Sequence, residues 1–209
     1  MRKIEPYPTL HDAIRALDNG GRFYNLFTRP ADDLIEPAEL ARAARTFSAD
    51  AIAFLYFDIA LMALTPNEQA RLLSMFSPEL AARYDASRPR HLAPAAAESV
   101  ARPGQPVILS GHAVLVRDST QHRNILVKDG PATVTPISDQ ADLYEVFATS
   151  DSDPPRALVA VPRRTPDLDH TVRTFGGILQ EYILDAKSQK KRGLYLQAAY
   201  YTPRGPQRP

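Results

Sequence analysis

Apolar residues recur every third or fourth position up to about residue 86, and every second position after Pro106. A helix repeats every 3.6 residues and a strand every two, so one segment cannot serve both patterns. The switch predicts an α+β chain: an N-terminal helical domain over residues 1–86, then a strand-rich domain over 106–203. Between them, residues 87–105 carry Pro89, Pro94 and Pro103-Gly104, which predicts an extended surface linker. The last residues, 204–209, read as a disordered tail.

The helical half is expected to hold about five short helices, because it shows repeated start signals. Thr9 precedes Leu10, Ala13, Ile14 and Leu17 on one helical face, and Gly20-Gly21 is expected to stop that helix. Pro37 opens a second helix, since its missing N–H would be unpaired in a first turn anyway. Ser48 is placed to cap a third, from Ala49 to about Leu64, whose apolar residues cover almost its whole circumference. Such a helix needs cover on every side, so this half is expected to pack against the strand-rich half. Thr65-Pro66-Asn67-Glu68 reads as a capping box, and Ser77-Pro78-Glu79 starts a last helix ending near Tyr84.

Six or seven short alternating segments follow, which predicts a small antiparallel β-barrel. They are Val107–Val116, Asn124–Lys128, Thr133–Ile137, Leu143–Ala148 (strand or short helix), Ala157–Val161, Val172–Leu184 and Leu194–Thr202. Gly111 suggests a bulge or bend, and Gly176-Gly177 a sharp corner. A long glycine-kinked strand, a basic turn at Lys187–Arg192 and an aromatic-rich strand together resemble an OB-fold in outline, over about half of the chain.

Composition narrows the chemistry. Among 209 residues, 44% are hydrophobic and 23% charged, which suits a folded globular protein. With no cysteine, disulfides, thiolate nucleophiles, cysteine zinc sites and iron–sulfur clusters are excluded. The apolar run Ala51–Leu64 is 14 residues long and contains Asp58, short of the roughly 20 a membrane span needs. After the basic start, Glu5, Pro6 and Pro8 stand where a signal peptide would have its apolar core. A soluble, cytoplasmic protein is expected. Twenty arginines against five lysines, with abundant alanine and proline, suggest a GC-rich bacterial genome.

No nucleophile elbow, glycine-rich phosphate loop or paired-histidine motif occurs. Residues Thr28–Glu39 match a calcium loop only at Asp32, Ile35 and Glu39, so an acidic loop before a helix is the expected reading. Histidines 11, 91, 112, 122 and 170 show no metal-ligand spacing; a β-hairpin turning at 118–121 would set His122 opposite Arg117, far from His112. Asp151, Asp153, Asp167 and Asp169 flank one strand and offer carboxylates for a hydrolase. The densest basic cluster is Lys187, Lys190, Lys191 and Arg192, near Tyr182 and Tyr195. Basic loops beside stacking aromatics hold single strands in OB-type barrels, while the same residues equally suit a solvated turn above a core.

The first expectation is therefore a non-catalytic binding or scaffold protein with a protein partner, no cofactor and no membrane contact. The alternative is a single-stranded nucleic-acid-binding barrel, and the third is a hydrolase using the loop aspartates.

Overall fold

A computed structural model describes residues 1–18, 32–46, 50–116, 125–128, 134–137, 141–148, 156–163, 165–166, 168, 171–186 and 189–203. The chain is α+β and divides into two compact units, Ile4–Pro89 and Met1–Lys3 with Arg90–Pro209. The described helices of the first unit are α1 (Leu10–Leu17), α2 (Pro37–Ala44), α3 (Asp50–Ala60), α4 (Pro66–Ser74) and α5 (Pro78–Ser87).

Each start has a local cause. The Thr9 hydroxyl accepts the Asp12 N–H at 3.1 Å, and the Ser77 hydroxyl accepts that of Leu80 at 3.3 Å. At Thr65 the capping box is complete: its hydroxyl accepts the Glu68 N–H, and its own N–H donates to the Glu68 carboxylate at 2.8 Å. The expected Gly20-Gly21 stop and Ser48 cap lie outside the described residues, and α1 ends at Leu17 with Asp18 following. The end of α3 is closed from α4, where the Gln69 amide donates to the Leu61 and Leu64 carbonyls at 3.0 Å each.

The core of this unit is aromatic. Phe57 meets Phe76 and Tyr84 with ring centroids 4.8 and 5.9 Å apart, and Phe54 meets Tyr84 at 5.2 Å. Edge-on packing of this kind adds to the burial of apolar area. Asp58, the charge inside the apolar run, accepts the Tyr84 hydroxyl proton at 2.6 Å.

The β unit is one mixed sheet of nine strands. They are β1 (Arg2–Lys3), β2 (Arg90–Leu92), β3 (Pro106–Leu115), β4 (Ile125–Lys128), β5 (Val134–Pro136), β6 (Ala141–Phe147), β7 (Arg156–Pro162), β8 (Thr171–Ala186) and β9 (Gln189–Tyr201). The expected wholly antiparallel pairing is corrected: β1–β9, β2–β3 and β7–β9 are parallel. Parallel partners are joined through long excursions of chain, so short-range alternation carries no sign of them. The ladders β3–β6, β6–β7, β7–β9, β9–β8 and β8–β3 run from neighbour to neighbour and return to β3.

Alternation sends residues of this circuit to two faces. One face gathers Val107, Leu109, Val146, Val159, Phe175, Leu179 and Leu196, all at 1% exposure or less. On the other lies a second cluster of Ile125, Val127, Ile137, Leu143, Ala160 and Tyr195.

Two further expectations are corrected. Residues 87–105 hold more than a linker: β2 pairs with β3, a single 3-10 turn spans Pro94–Ala96, and α6 spans Ala97–Val100. Gly111 sits in an unbroken ladder, because a Cβ there would meet the Phe147 carbonyl oxygen at 2.2 Å; close backbone approach, and no bulge, requires it. The conditional hairpin turning at 118–121, with His122 opposite Arg117, lies outside the described residues; β4 pairs with β8 and β5. Between Gly176 and Gly177 the register passes from Tyr200 to Ala198, so the extra residue, Ala199, lies on β9.

Candidate functional site

The two units differ in charge. Ile4–Pro89 carries 8 basic and 12 acidic residues, net −4, while the β unit carries 17 and 12, net +5. A basic field on one unit is the usual electrostatic footprint of a polyanion-binding surface.

The basic cluster lies on the longest ladder of the sheet. Lys190, Lys191 and Arg192 are residues of β9, opposite Asp185, Leu184 and Ile183 of β8. They were expected in a turn; Lys187 lies outside the described residues, and the other three are part of the strand. Sustained cross-strand pairing carries the ladder that far. Parallel pairing of β7 to β9 covers only Leu158 to Ala160 against Tyr195 to Gln197, so this hairpin runs on past the β7 ladder. Arg192 is exposed.

Tyr182 faces Gly193 across the hairpin, and its ring fills the space where a glycine Cβ would stand, 2.4 Å from Cζ. An aromatic ring laid over a cross-strand glycine covers backbone that would otherwise be wet. Tyr182 is half-buried and packs on the second cluster, which Tyr195 joins at 8% exposure. Burial raises the Tyr195 hydroxyl above its ordinary pKa. Tyr200 and Tyr201 are buried too, at 4% and 6%. The structure thus joins Tyr182, Tyr195 and the basic positions of β9 on one hairpin, with the rings covered.

The other sequence candidates separate. Asp151, Asp153, Asp167, Asp169, His122 and His170 lie outside the described residues. His11 and His91 are exposed and His112 is half-buried; no group able to hold a metal occurs among the described residues. Of the acidic loop, Asp32 and Asp33 donate their N–H groups to Asp18, at 3.3 and 3.1 Å, while the Glu39 carboxylate accepts the Glu36 N–H at 3.0 Å in a helix cap.

Sequence reasoning missed two buried polar groups. Asp18 is 1% exposed, and desolvation holds its carboxyl above the usual range despite the two N–H donors. Tyr84 is shifted upward by burial first and by the Asp58 carboxylate second. Asp58 alone was visible in advance, as the lone charge in an apolar run. Both groups are explained by packing within the helical unit.

Comparison with protein-family models, with curated proteins and with solved structures finds no match to this chain.

Proposed function

We propose that this is a non-catalytic binding protein whose β unit is an OB-like barrel and whose ligand is a single-stranded nucleic acid. The observation that carries the reading is the placement of basic residues on the β8–β9 hairpin of a unit with net charge +5. The pairing order supports an OB-like form. Within the circuit, β8-β3-β6-β7 has the Greek-key order of a fourth strand laid beside the first. A fifth strand, β9, joins β8 to β7, and an OB-fold is a five-stranded Greek-key barrel. The β8–β9 hairpin then corresponds to the connection between fourth and fifth strands, one of the loops by which OB-folds hold oligonucleotides. The proposal also takes the protein to be cytoplasmic and bacterial, on the sequence grounds above; no described helix is long and apolar enough to cross a membrane.

A short labelled single strand should bind the protein with affinity that falls with salt. Each neutralised phosphate on a single strand contributes about −0.7 to the slope of log affinity on log salt, so four contacts imply about −3. Substituting Lys187, Lys190, Lys191 and Arg192 together by alanine should remove most of that slope, with stability changed by no more than about 0.5 kcal/mol. Absence of binding at low salt, or an unaltered slope, rejects the reading.

A second reading, a protein partner, is favoured by the burial of Tyr195, Tyr200 and Tyr201, which takes three rings away from stacking. It becomes the better one if the single-strand titration fails.

A further inference from the structure

A protein can hold a single strand by stacking its bases on open rings or by contacting its phosphates, and the two need different residues at the surface. In the β unit the aromatic inventory is complete: it has no Trp, and all seven of its Phe and Tyr residues are among the described ones. Five of them, Tyr144, Phe175, Tyr195, Tyr200 and Tyr201, are at 8% exposure or less. The other two, Phe147 and Tyr182, are half-buried. Tyr182 lies over Gly193 and packs on the second cluster, so its ring is engaged by its own chain. Phe147 stands in the ladders between His112 of β3 and Arg156 of β7, and directly opposed residues come within about 5 Å at Cβ. The exposed large hydrophobic side chains among the described residues are valines, Val100 and Val172. Charge is distributed the opposite way: Arg90, Arg102, Arg156, Arg163 and Arg192 of the same unit are all exposed.

We propose that the β unit recognises the phosphodiester backbone of a single strand and not its bases, so that binding is independent of base identity and persists when the bases are removed. The inference rests on the nucleic-acid reading and adds which part of the ligand is read. A phosphate contact releases counterion and carries no base information. A stacking site needs an open ring face, and the rings of this unit are committed to its two apolar clusters and its ladders. The burial of Tyr195, Tyr200 and Tyr201 is then compatible with a polyanionic ligand: the rings serve the fold and the cations serve the strand.

Two labelled ligands of equal length and charge test it: oligothymidylate, and an oligomer of the same phosphodiester chain whose sugars carry no bases. A single base stacked on a ring tightens binding by about fivefold or more. The parent protein should bind the two ligands within about fivefold of each other and with the same salt slope. Joint substitution of Lys187, Lys190, Lys191 and Arg192 by alanine should weaken both alike. The double variant Phe147→Leu/Tyr182→Leu removes the two half-buried rings, keeps apolar side chains in their places, and should leave the affinity for oligothymidylate unchanged. A parent preference for oligothymidylate above about fivefold overturns phosphate-only recognition and keeps the nucleic-acid reading. So does a loss of that size in the leucine variant when its affinity for the baseless oligomer is intact. Absence of binding to both ligands at low salt overturns both.

Discussion

In the helical unit, Thr9, Thr65 and Ser77 each satisfy the first turn of the helix they precede, three residues away in sequence. In the β unit, the tightest constraints join residues far apart. Gly111 lies against the Phe147 carbonyl and Gly177 against that of Gln197. One unit is specified by neighbours in sequence and closed by an aromatic core. The other is specified by how closely distant backbones approach, with apolar residues gathered on both faces of its circuit. Their two shifted tyrosines repeat the contrast. Tyr84 is raised by burial and by a partner carboxylate, Tyr195 by burial alone.

The sharpest way to break this comparison is at the aromatic core. Phe57 is 1% exposed and touches two rings, so Phe57→Ala should cost about 3–5 kcal/mol. Urea unfolding followed by far-ultraviolet circular dichroism measures it. A loss below about 1 kcal/mol would mean that the caps, and not the rings, hold the helical unit.

Next in size is a single methyl group in the sheet. Gly177→Ala would set a Cβ 2.2 Å from the Gln197 carbonyl oxygen, a backbone atom that cannot swing away. Overpacking of this kind costs about 1–3 kcal/mol or more. Gly104 is the internal control: it has φ +84° and open space around it, so alanine there costs only backbone strain, about 1–2 kcal/mol. Equal losses at the two sites would show that close approach is not what Gly177 supplies.

The smallest effect separates the two tyrosines. Because Tyr84 is raised above its ordinary value of 10.0, the folded state keeps the proton after the unfolded chain has lost it. Its contribution is thus fully present below pH 10 and is lost as pH rises further. Tyr84→Phe should cost about 1 kcal/mol at neutral pH, for one hydrogen bond, and should flatten the alkaline loss. Asp58→Asn should bring the Tyr84 titration down and leave that of Tyr195 unmoved, read by absorbance at alkaline pH. If both tyrosines move together, the Asp58 carboxylate is not the cause.

How far the chain could be read in advance follows the same division. Pro37, Thr65-Pro66-Asn67-Glu68 and Ser77-Pro78 placed their helix starts correctly because a cap acts within one turn. The alternating segments located β3 to β9 to within a few residues, and Leu143–Ala148 resolved as a strand. What alternation does not contain is partnership. Nothing local in Arg2-Lys3 announces a parallel ladder with Tyr200 and Tyr201, and nothing in Arg90–Leu92 announces one with β3. The basic cluster was legible as charge, but its place within β9 depended on β8 supplying partners as far as Ala186. Burial of Tyr195 depended on β4 and on Ile137, segments whose packing over β6 and β7 no periodicity encodes.

The β unit also begins and ends apart from itself in time. Its first strand, Arg2–Lys3, pairs with the last two residues of β9, and the whole of Ile4–Pro89 is synthesised between β1 and β2. A growing chain emerges at about 5–20 residues per second, so the helical unit is complete and able to fold well before β9 exists. The β unit must wait, with β1, β3 and β7 each lacking partners that come later. Loops that long are slow to close, and unpaired strand edges are the surfaces on which nascent chains aggregate. The order of elements along this chain therefore makes the basic, strand-rich unit the late and vulnerable one during synthesis, and the acidic helical unit the early one.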